Sequence, residues 1–388
     1  MLQTIKQVLS REIRRIVSRP VYLVASIGTM TLIYVFFLTF MHEGLPQQLP
    51  VGVVDMDNSS ISRRLARELD ATQNVQVVAK YSSFAEARDA MQRGKIYAFF
   101  LVPENCYSDI LAFKRPTISY YINQGYLLGG SLSMKSMLTL ANLASPAVQR
   151  ELLRAKGFND EAIMGLIQPI VVDTHYIGNP ETNYPVYLLT TIFPGMLGVI
   201  ILLLTTYSIG VEMKKKTSHG WLKAADHSLG IALIGKLLPY TILYFFLELA
   251  GIATMYLILG FPMNGSLAYY ILAALLYIVS MQAVGVFIVG LAPVCRYAVC
   301  YATLYGILAI TMSGFTYPVD AMYPALQALS WIFPIRQLFL LGTDVALLGS
   351  GFAETWMRVV IMMLFILLPC TIWSRLKGAL IYQNYNQK

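Results

Sequence analysis

The chain has 388 residues, of which 56% are hydrophobic and only 13% are charged. Soluble globular domains carry about 25% charged residues, and disordered chains lack the apolar residues that are abundant here. The composition, with a mean hydropathy of +0.58, therefore excludes a soluble or disordered protein and indicates a membrane protein.

Residues 1–19 are basic and precede the first long apolar run. Apolar residues recur at intervals of three and four between residues 2 and 17, and basic side chains such as Arg11 and Arg14 occupy the other face. This pattern is typical of an amphipathic helix that lies in the membrane interface. The alternative is a basic orientation signal that happens to be helical.

Six apolar runs approach or exceed the length of about 20 residues that a helix needs to cross a bilayer. The predicted spans are 20–41, 187–211, 236–260, 267–291, 298–315 and 356–374. The first run follows basic residues as a signal peptide would, but it is too long and no small-residue cleavage site ends it. The sequence predicts a polytopic α-helical membrane protein with six transmembrane helices.

Residues 42–185 separate the first span from the remaining membrane region, 186–388. Helix-like segments alternate with strand-like segments, which are 50–55, 75–81, 96–102, 117–122 and 170–177. The alternation predicts an inserted α/β domain with a mixed sheet. Ser83 and Glu86 form a capping-box pattern, and Asp55, beside another candidate cap, is interpreted as a turn residue rather than a catalytic one.

Positive charge in the short loops gives the orientation, because cytoplasmic loops are enriched in lysine and arginine. Basic residues precede span one, lie between spans two and three and between spans four and five, and follow span six. Both termini are therefore expected in the cytoplasm, and residues 42–185 outside, because long domains translocate regardless of charge. The net charge of +8 is attributed to anionic membrane lipid rather than nucleic acid.

The segment 317–349 is apolar but is interrupted by Pro318, Pro324 and Pro334. Neither half is long enough to span, and irregular backbone at membrane depth is tolerated only where protein or a cavity surrounds it. We predict a pair of short re-entrant or interfacial helices on the outer side, and interpret the three prolines as part of a gate. A loop lying on the lipid is the alternative.

No enzyme chemistry is predicted. Residues 230–237 nearly match the phosphate-binding loop, but Leu237 stands where a serine or threonine must hold magnesium. The histidines and cysteines lack the spacing of zinc ligands, so no cofactor or metal site is expected in this chain. Glu248, in the middle of span three, lies either on a transport pathway or in an interhelical hydrogen bond, to Gln282 or a tyrosine.

Several segments carry a family resemblance: Gly52–Leu65, Phe84–Gly94, Val102–Glu104, Glu212–Thr217, Gly235–Pro239, Ser313–Pro318, Met322–Gln327 and Phe333–Arg336. In this order they resemble the permease subunits of ABC exporters, in the type 2 ABC membrane-domain family with a large extracytoplasmic domain. The resemblance covers nearly the whole chain. It departs at Leu222–Ser228, where relatives often read Leu-Val-Thr-Pro.

The resemblance implies a permease that pairs with a second copy or a close paralogue in the cell (inner or plasma) membrane. Two separate ATP-binding cassette subunits would bind ATP and magnesium, and hydrolysis would drive export between the two permeases. A drug, a lipid or another small hydrophobic molecule remains open as the substrate. The sequence also leaves open whether the permease forms a homodimer or a heterodimer. It leaves open, too, whether a periplasmic adaptor binds it in a Gram-negative inner membrane.

The loop 212–228 is expected to form the coupling helix that receives the ATP-binding subunit, since the other cytoplasmic loops are too short. The residues assigned to this contact are Glu212, Lys214, Lys215, Lys216, Thr217, Trp221 and, as a minor second contact, Arg296. Trp221 is expected at the centre, where large aromatic residues contribute most. Alternatively, the lysines contact only anionic headgroups and Trp221 is an interfacial anchor.

Two other classes of protein remain open. A membrane receptor could sense a ligand through the outer α/β domain, but it would not need re-entrant segments. An ion-coupled secondary transporter could use Glu248, but the sequence shows none of the inverted repeats that such folds often carry.

Overall fold

The computed structural model describes residues 2–41, 44–112, 114–167 and 175–382. The chain forms two compact units. The helical unit comprises Met1–His42 and His175–Lys388, and the α/β unit comprises Glu43–Thr174.

Two helices begin the helical unit, α1 (Leu2–Ser18) and α2 (Pro20–Phe40). The amphipathic pattern of α1 places Val8 and Ile16 in the core while Arg14 stays exposed. Pro20 occupies the first position of α2, where a helix has no use for a backbone N–H. The chain therefore ends one helix and starts the next within two residues.

The α/β unit contains a four-stranded sheet with the strand order β2-β1-β3-β4. Its elements in chain order are β1 (Leu49–Asp55), α3 (Ser60–Asp70), β2 (Val75–Tyr81), α4 (Phe84–Gln92), β3 (Ala98–Val102), α5 (Cys106–Leu111), β4 (Ser119–Ile122), α6 (Leu127–Ala155) and α7 (Asp160–Ile167). β1 is parallel to β2 and β3, whereas β4 is antiparallel to β3. The sheet is therefore mixed.

Helices cover both faces of this sheet. Because side chains alternate along a strand, Val53 of β1 packs towards Leu69 of α3 and Met137 of α6, and Val54 packs towards Ala87 of α4. The strand predicted at 170–177 falls largely outside the described residues, and residues 175–177 belong to no strand.

Side-chain caps fix where α3 and α4 begin. Ser59 Oγ accepts a hydrogen bond from the backbone N–H of Ser62, and Ser83 caps α4 in the same way. The Asp55 carboxylate accepts from the backbone N–H of Asn58 at 2.8 Å and from the Ser62 hydroxyl at 2.7 Å. Asp55 therefore stabilises the turn between β1 and α3.

The rest of the helical unit consists of α8 (Tyr184–Lys214), α9 (Ser218–Ala224), α10 (Leu229–Ile258), α11 (Leu267–Leu291), α12 (Cys295–Thr311), α13 (Pro324–Ser330), α14 (Pro334–Leu347), α15 (Phe352–Thr371) and α16 (Trp373–Tyr382). Among the described residues, five helices are long and apolar enough to cross a membrane: α2, α8, α10, α11 and α15. They coincide with five of the six predicted spans. The remaining prediction, 298–315, corresponds to α12, which has 17 residues and reaches only about 26 Å.

The segment 317–349 forms a pair of short helices, α13 and α14, whose axes are bent by 87°. Pro324 and Pro334 occupy the first positions of these helices, and Pro318 precedes the 3₁₀ turn Val319–Ala321. The prolines therefore start short helices rather than interrupting one long helix.

The centre of the helical unit is formed by α8 and α11. In both helices 67% of the most apolar window is buried, compared with 22% in α2 and 17% in α15. A glycine permits their close packing, since a Cβ at Gly198 would lie 2.0 Å from the hydroxyl of Tyr277. That hydroxyl donates to the carbonyl of Pro194 at 3.0 Å, so the contact is polar as well as tight.

Candidate functional site: a charged joint at the end of the helical unit

The segment between α8 and α10 contains the short helix α9. Lys216 before it, and Asp226 and His227 after it, have φ values of 55°, 54° and 59°. This left-handed conformation is uncommon for residues other than glycine, and it makes the two sharp turns that set α9 apart. The segment 212–228, in which a coupling helix is predicted, thus contains a short helix of about two turns with a sharp turn at each end.

The residues assigned to this segment fall into two groups. Lys214, Lys215, Lys216 and Thr217 are exposed, whereas Glu212 has no exposed surface. Further exposed residues of the same surface are His219, Lys223, Asp226 and His227. We call these exposed residues the α9 surface; its charge is predominantly positive.

Glu212 is the centre of a set of ion pairs. Its two carboxylate oxygens accept from the two terminal nitrogens of Arg11, each at 2.9 Å. It also accepts from Arg15 and from the hydroxyl of Thr217, and it contacts the Lys236 ammonium at 3.1 Å. A bidentate arginine pair fixes the geometry as well as the charge.

A second carboxylate completes the arrangement. Glu12 Oε2 contacts the Lys236 ammonium at 2.8 Å, and Glu12 Oε1 accepts from the hydroxyl of Tyr240 at 2.9 Å. We call the five charged residues Arg11, Glu12, Arg15, Glu212 and Lys236 the ion cluster. It joins α1, α8 and α10, which are far apart in the sequence.

Most of the ion cluster lies in the interior of the helical unit, and the Arg11 side chain, 31% exposed, reaches the surface. Glu12, Glu212 and Lys236 are fully buried. Burial lowers the pKa of Arg15, but Glu212, Tyr22, Glu12 and Tyr240 together outweigh this effect and hold that pKa above its ordinary value. Removing one partner from a buried ion pair typically costs about 3–5 kcal/mol. Each of these buried side chains therefore stabilises the packing of α1 against α8 and α10.

Gly235 allows α1 to come close enough for these contacts. A Cβ at this position would lie 2.8 Å from Cβ of Val8, which is closer than side-chain atoms normally approach. The near match to a phosphate-binding loop at 230–237 is therefore explained by packing. Gly235 admits α1, and Lys236 reaches the carboxylates of the ion cluster.

Trp221 lies behind the ion cluster and not on the α9 surface. Its side chain is fully buried, its indole N–H donates to the carbonyl of Ala232 at 3.2 Å, and the Lys236 ammonium lies 4.9 Å from its ring centroid. The sequence predicts Trp221 at the centre of a contact with another subunit. In the structure the Trp221 side chain has no solvent-exposed surface, so it cannot contact another subunit directly.

A further contact ties α9 to the last helix, α16, because the Ser218 hydroxyl donates to the carbonyl of Leu380 at 2.8 Å. Arg296 lies in the first turn of α12, where it is exposed and its guanidinium sits 5.3 Å from the ring centroid of Tyr297. The start of α12 packs on α8, since a Cβ at Gly210 would lie 2.9 Å from Sγ of Cys295.

Glu248 lies in α10 and is 2% exposed. Its Oε1 atom accepts no hydrogen bond from the described residues. Gln282, the partner proposed from the sequence, instead accepts from the Thr241 hydroxyl at 2.8 Å and donates to the carbonyl of Leu237. Tyr34, a tyrosine on the neighbouring helix α2, donates its hydroxyl to the carbonyl of Leu247 at 2.7 Å. The buried carboxylate therefore has an unsatisfied oxygen.

Two of the proposed gate residues, Pro324 and Pro334, each begin one helix of the bent pair. Tyr323, next to Pro324, is 76% exposed, whereas Arg336, two residues after Pro334, is 8% exposed. The Arg336 guanidinium lies 6.0 Å from the ring centroid of Trp331. The start of α13 is therefore exposed, whereas the start of α14 is packed in the helical unit.

Five residues in or next to the ion cluster were not predicted as site residues from the sequence: Arg11, Glu12, Arg15, Lys236 and Tyr240. One signal was available, because a charged residue just inside an apolar span is a candidate for function, and Lys236 fits that description. Glu12, the acidic residue in an otherwise basic helix, is the second signal. Neither signal reveals that the two side chains meet.

Comparison with known proteins agrees with this architecture. The model of the ABC-2 family transporter proteins matches residues 20–374. Relatives in Escherichia coli, from strain K12 and from O157:H7, are both described as a probable multidrug ABC transporter permease, YbhR. Each is 25% identical over 205 residues, which are 52% of this chain and 55% of the relative, so the chain spans about half the length of the curated relatives it matches. The family match covers most of the sequence, and the chain belongs to the ABC-2 family of transporter proteins.

Proposed function

We propose that this chain is the membrane-spanning subunit of an ATP-driven exporter, and that α9 transmits motion from a separate ATP-binding cassette subunit. The observation that carries the proposal is the ion cluster. It ties the helices on either side of α9 to α1 through fully buried ion pairs. A force applied to α9 would therefore move α1, α8 and α10 together.

The α9 surface is the proposed seat of the ATP-binding subunit. Lys214, Lys215 and Lys216 are exposed and lie just before α9, where they would steer an acidic partner surface. Exposed Arg296, in the first turn of α12, would be a minor second contact. ATP and magnesium would bind to the partner subunit, and this chain would supply no catalytic group.

The orientation follows from the basic loops. Both termini and the α9 surface would be cytoplasmic, and the α/β unit would be outside, in a cell or inner membrane. Cysteine labelling tests this arrangement, because a membrane-impermeant reagent should modify a Gln73→Cys variant in intact cells and not a Lys215→Cys variant. The reverse pattern of labelling would overturn the orientation.

A second copy of the chain, or a paralogue, would complete the transport pathway. Glu248 and the α13–α14 pair would then belong to that pathway and its outer gate. The printed description of the relatives as multidrug permeases supports a small hydrophobic cargo, such as a drug or a lipid. A periplasmic adaptor would extend the route in a Gram-negative cell.

Reconstitution tests the function directly. The chain, co-purified with its ATP-binding subunit in proteoliposomes, should move a hydrophobic fluorescent dye only when ATP is supplied on the side of the α9 surface. A Glu212→Gln variant should keep the dye-free ATPase activity of the complex but lose most of the transport. Equal transport with and without ATP would reject the proposal.

The unsatisfied carboxylate of Glu248 favours one second candidate, an ion-coupled transporter. A proton gradient alone would then move the dye, in the absence of nucleotide, and a Glu248→Gln variant would stop it. ATP dependence without any effect of the gradient would dismiss this candidate.

A further inference from the structure

A cavity of about 870 Å³ lies within the α/β unit, among the sheet, α3, α5, α6 and α7. Apolar side chains form most of its wall, among them Leu65, Phe100, Leu140, Val148 and Leu152. Ligand pockets in proteins have volumes of about 300–1,000 Å³, with mainly apolar walls and a few polar groups. The cavity has these properties, and the proposed coupling function makes no use of it.

Among the described residues that line the cavity, the two charged ones are cations. Lys114 and Arg115 stand next to each other in the segment between α5 and β4, and no acidic residue lies among the described lining residues. Lys114 is paired with Asp109 at 3.0 Å. Arg115 has no carboxylate within ion-pair distance in the part of the chain that the structure describes.

An arginine with no carboxylate partner among the described residues, beside an apolar cavity, complements one kind of molecule. A guanidinium binds carboxylate and other acidic groups through charge-assisted hydrogen bonds, whereas the apolar wall favours a hydrocarbon chain. A neutral hydrophobic molecule would leave Arg115 unused, and a cationic one would meet two positive charges. The two features together select an acidic head attached to an apolar tail.

We propose that this cavity binds a single-chain amphiphilic anion. The tail lies between α6 and the sheet, against Leu140 and Phe100, and the acidic head pairs with Arg115. Gln149, a polar residue of the same wall, is a second group able to donate a hydrogen bond to the head. The inference concerns binding alone and does not rest on the transport proposal.

Photoaffinity labelling of the full-length chain in lipid nanodiscs tests the site. The probe is dodecanoate carrying a diazirine in its tail, and mass spectrometry locates the labelled peptides. We expect label in the α6 peptide that contains Leu140. Unlabelled fatty acids should displace it, with each methylene removed from the competitor weakening displacement about fourfold. Dodecanol and dodecyltrimethylammonium should displace it much less.

Two variants and two matched controls separate the cavity from the protein surface. Ala144→Trp places an indole in the cavity wall and should abolish the α6 label, whereas Ala147→Trp, at an exposed position of the same helix, should not. Arg115→Glu, at an exposed position where the fold is not at risk, should weaken binding about fivefold. Arg88→Glu, on α4 at the other face of the sheet, should leave binding unchanged.

The results that would overturn the proposal are equally specific. Label confined to the membrane-spanning helices would show that the probe enters lipid and not the cavity. Equal displacement by dodecyltrimethylammonium, or unchanged binding in Arg115→Glu, would show that the head is not recognised. Unchanged label in a folded Ala144→Trp variant would place the tail elsewhere.

Discussion

Replacement of Lys236 by methionine should destabilise the packing of α1 against α8 and α10. The ammonium contacts Glu12 at 2.8 Å and Glu212 at 3.1 Å, and all three side chains are fully buried. Methionine keeps the volume but leaves Glu12 with the Tyr240 hydroxyl at 2.9 Å and with Arg15 at 3.9 Å. Loss of a buried partner costs about 3–5 kcal/mol. Because Glu212 keeps both arginines, we expect the lower end, about 3 kcal/mol.

The assay is a double-mutant cycle on the free energy of unfolding, measured by denaturant titration of the chain in mixed micelles. Glu12→Gln removes the charge that Lys236→Met leaves unpaired, so the double variant should be more stable than Lys236→Met alone. Their coupling energy should fall in the range of about 0.5–3 kcal/mol that interacting residues show. Lys215→Met, at an exposed position, is the control and should change stability by less than about 0.5 kcal/mol. Strictly additive effects, or a mild Lys236→Met, would refute the reasoning.

Three further predictions concern other parts of the helical unit. Trp221→Ala should destabilise the chain by about 3–5 kcal/mol, as removal of a buried aromatic side chain does, whereas Trp356→Ala, 48% exposed, should not; equal melting curves would contradict the burial of Trp221. Glu248→Gln should reach the membrane normally but lower dye export several-fold, and unchanged export would leave it a structural role. Disulfide cross-linking of Tyr323→Cys between two copies should block export until the link is reduced; undiminished export in linked dimers would exclude a gate there.

The spans could be predicted because hydropathy along the chain reports directly on burial in lipid. The prediction succeeded for long uninterrupted runs such as 267–291, which the helix α11 matches residue for residue. It started the fifth span, 298–315, three residues late and ended it four residues late. The late end arises because the apolar composition continues past Thr311 while the helix does not. Hydropathy reports where a chain is apolar, and hydrogen bonds decide where its helices end.

The ion cluster could not be predicted, because its contacts link residues that are far apart in the sequence. Glu12 and Lys236 are each visible as unusual charges, but their pairing depends on how closely α1 approaches α10 at Gly235. Trp221 illustrates the same limit. The local sequence around a tryptophan in a basic loop is the same in two cases. The side chain can face a partner protein or, as here, pack inside the chain against a lysine. Three-dimensional packing distinguishes the two cases, and local sequence does not.

The central claim is that a separate ATP-binding subunit acts on the membrane helices through the α9 surface. The most direct measurement is ATP-driven dye export by proteoliposomes that hold both subunits, with all three lysines reversed in the variant Lys214→Glu, Lys215→Glu, Lys216→Glu. The matched control reverses three exposed arginines of α3, Arg63, Arg64 and Arg67. The account predicts that the lysine variant loses the bound ATP-binding subunit and its export, while the arginine variant keeps both. Full binding and full export by the lysine variant would contradict it.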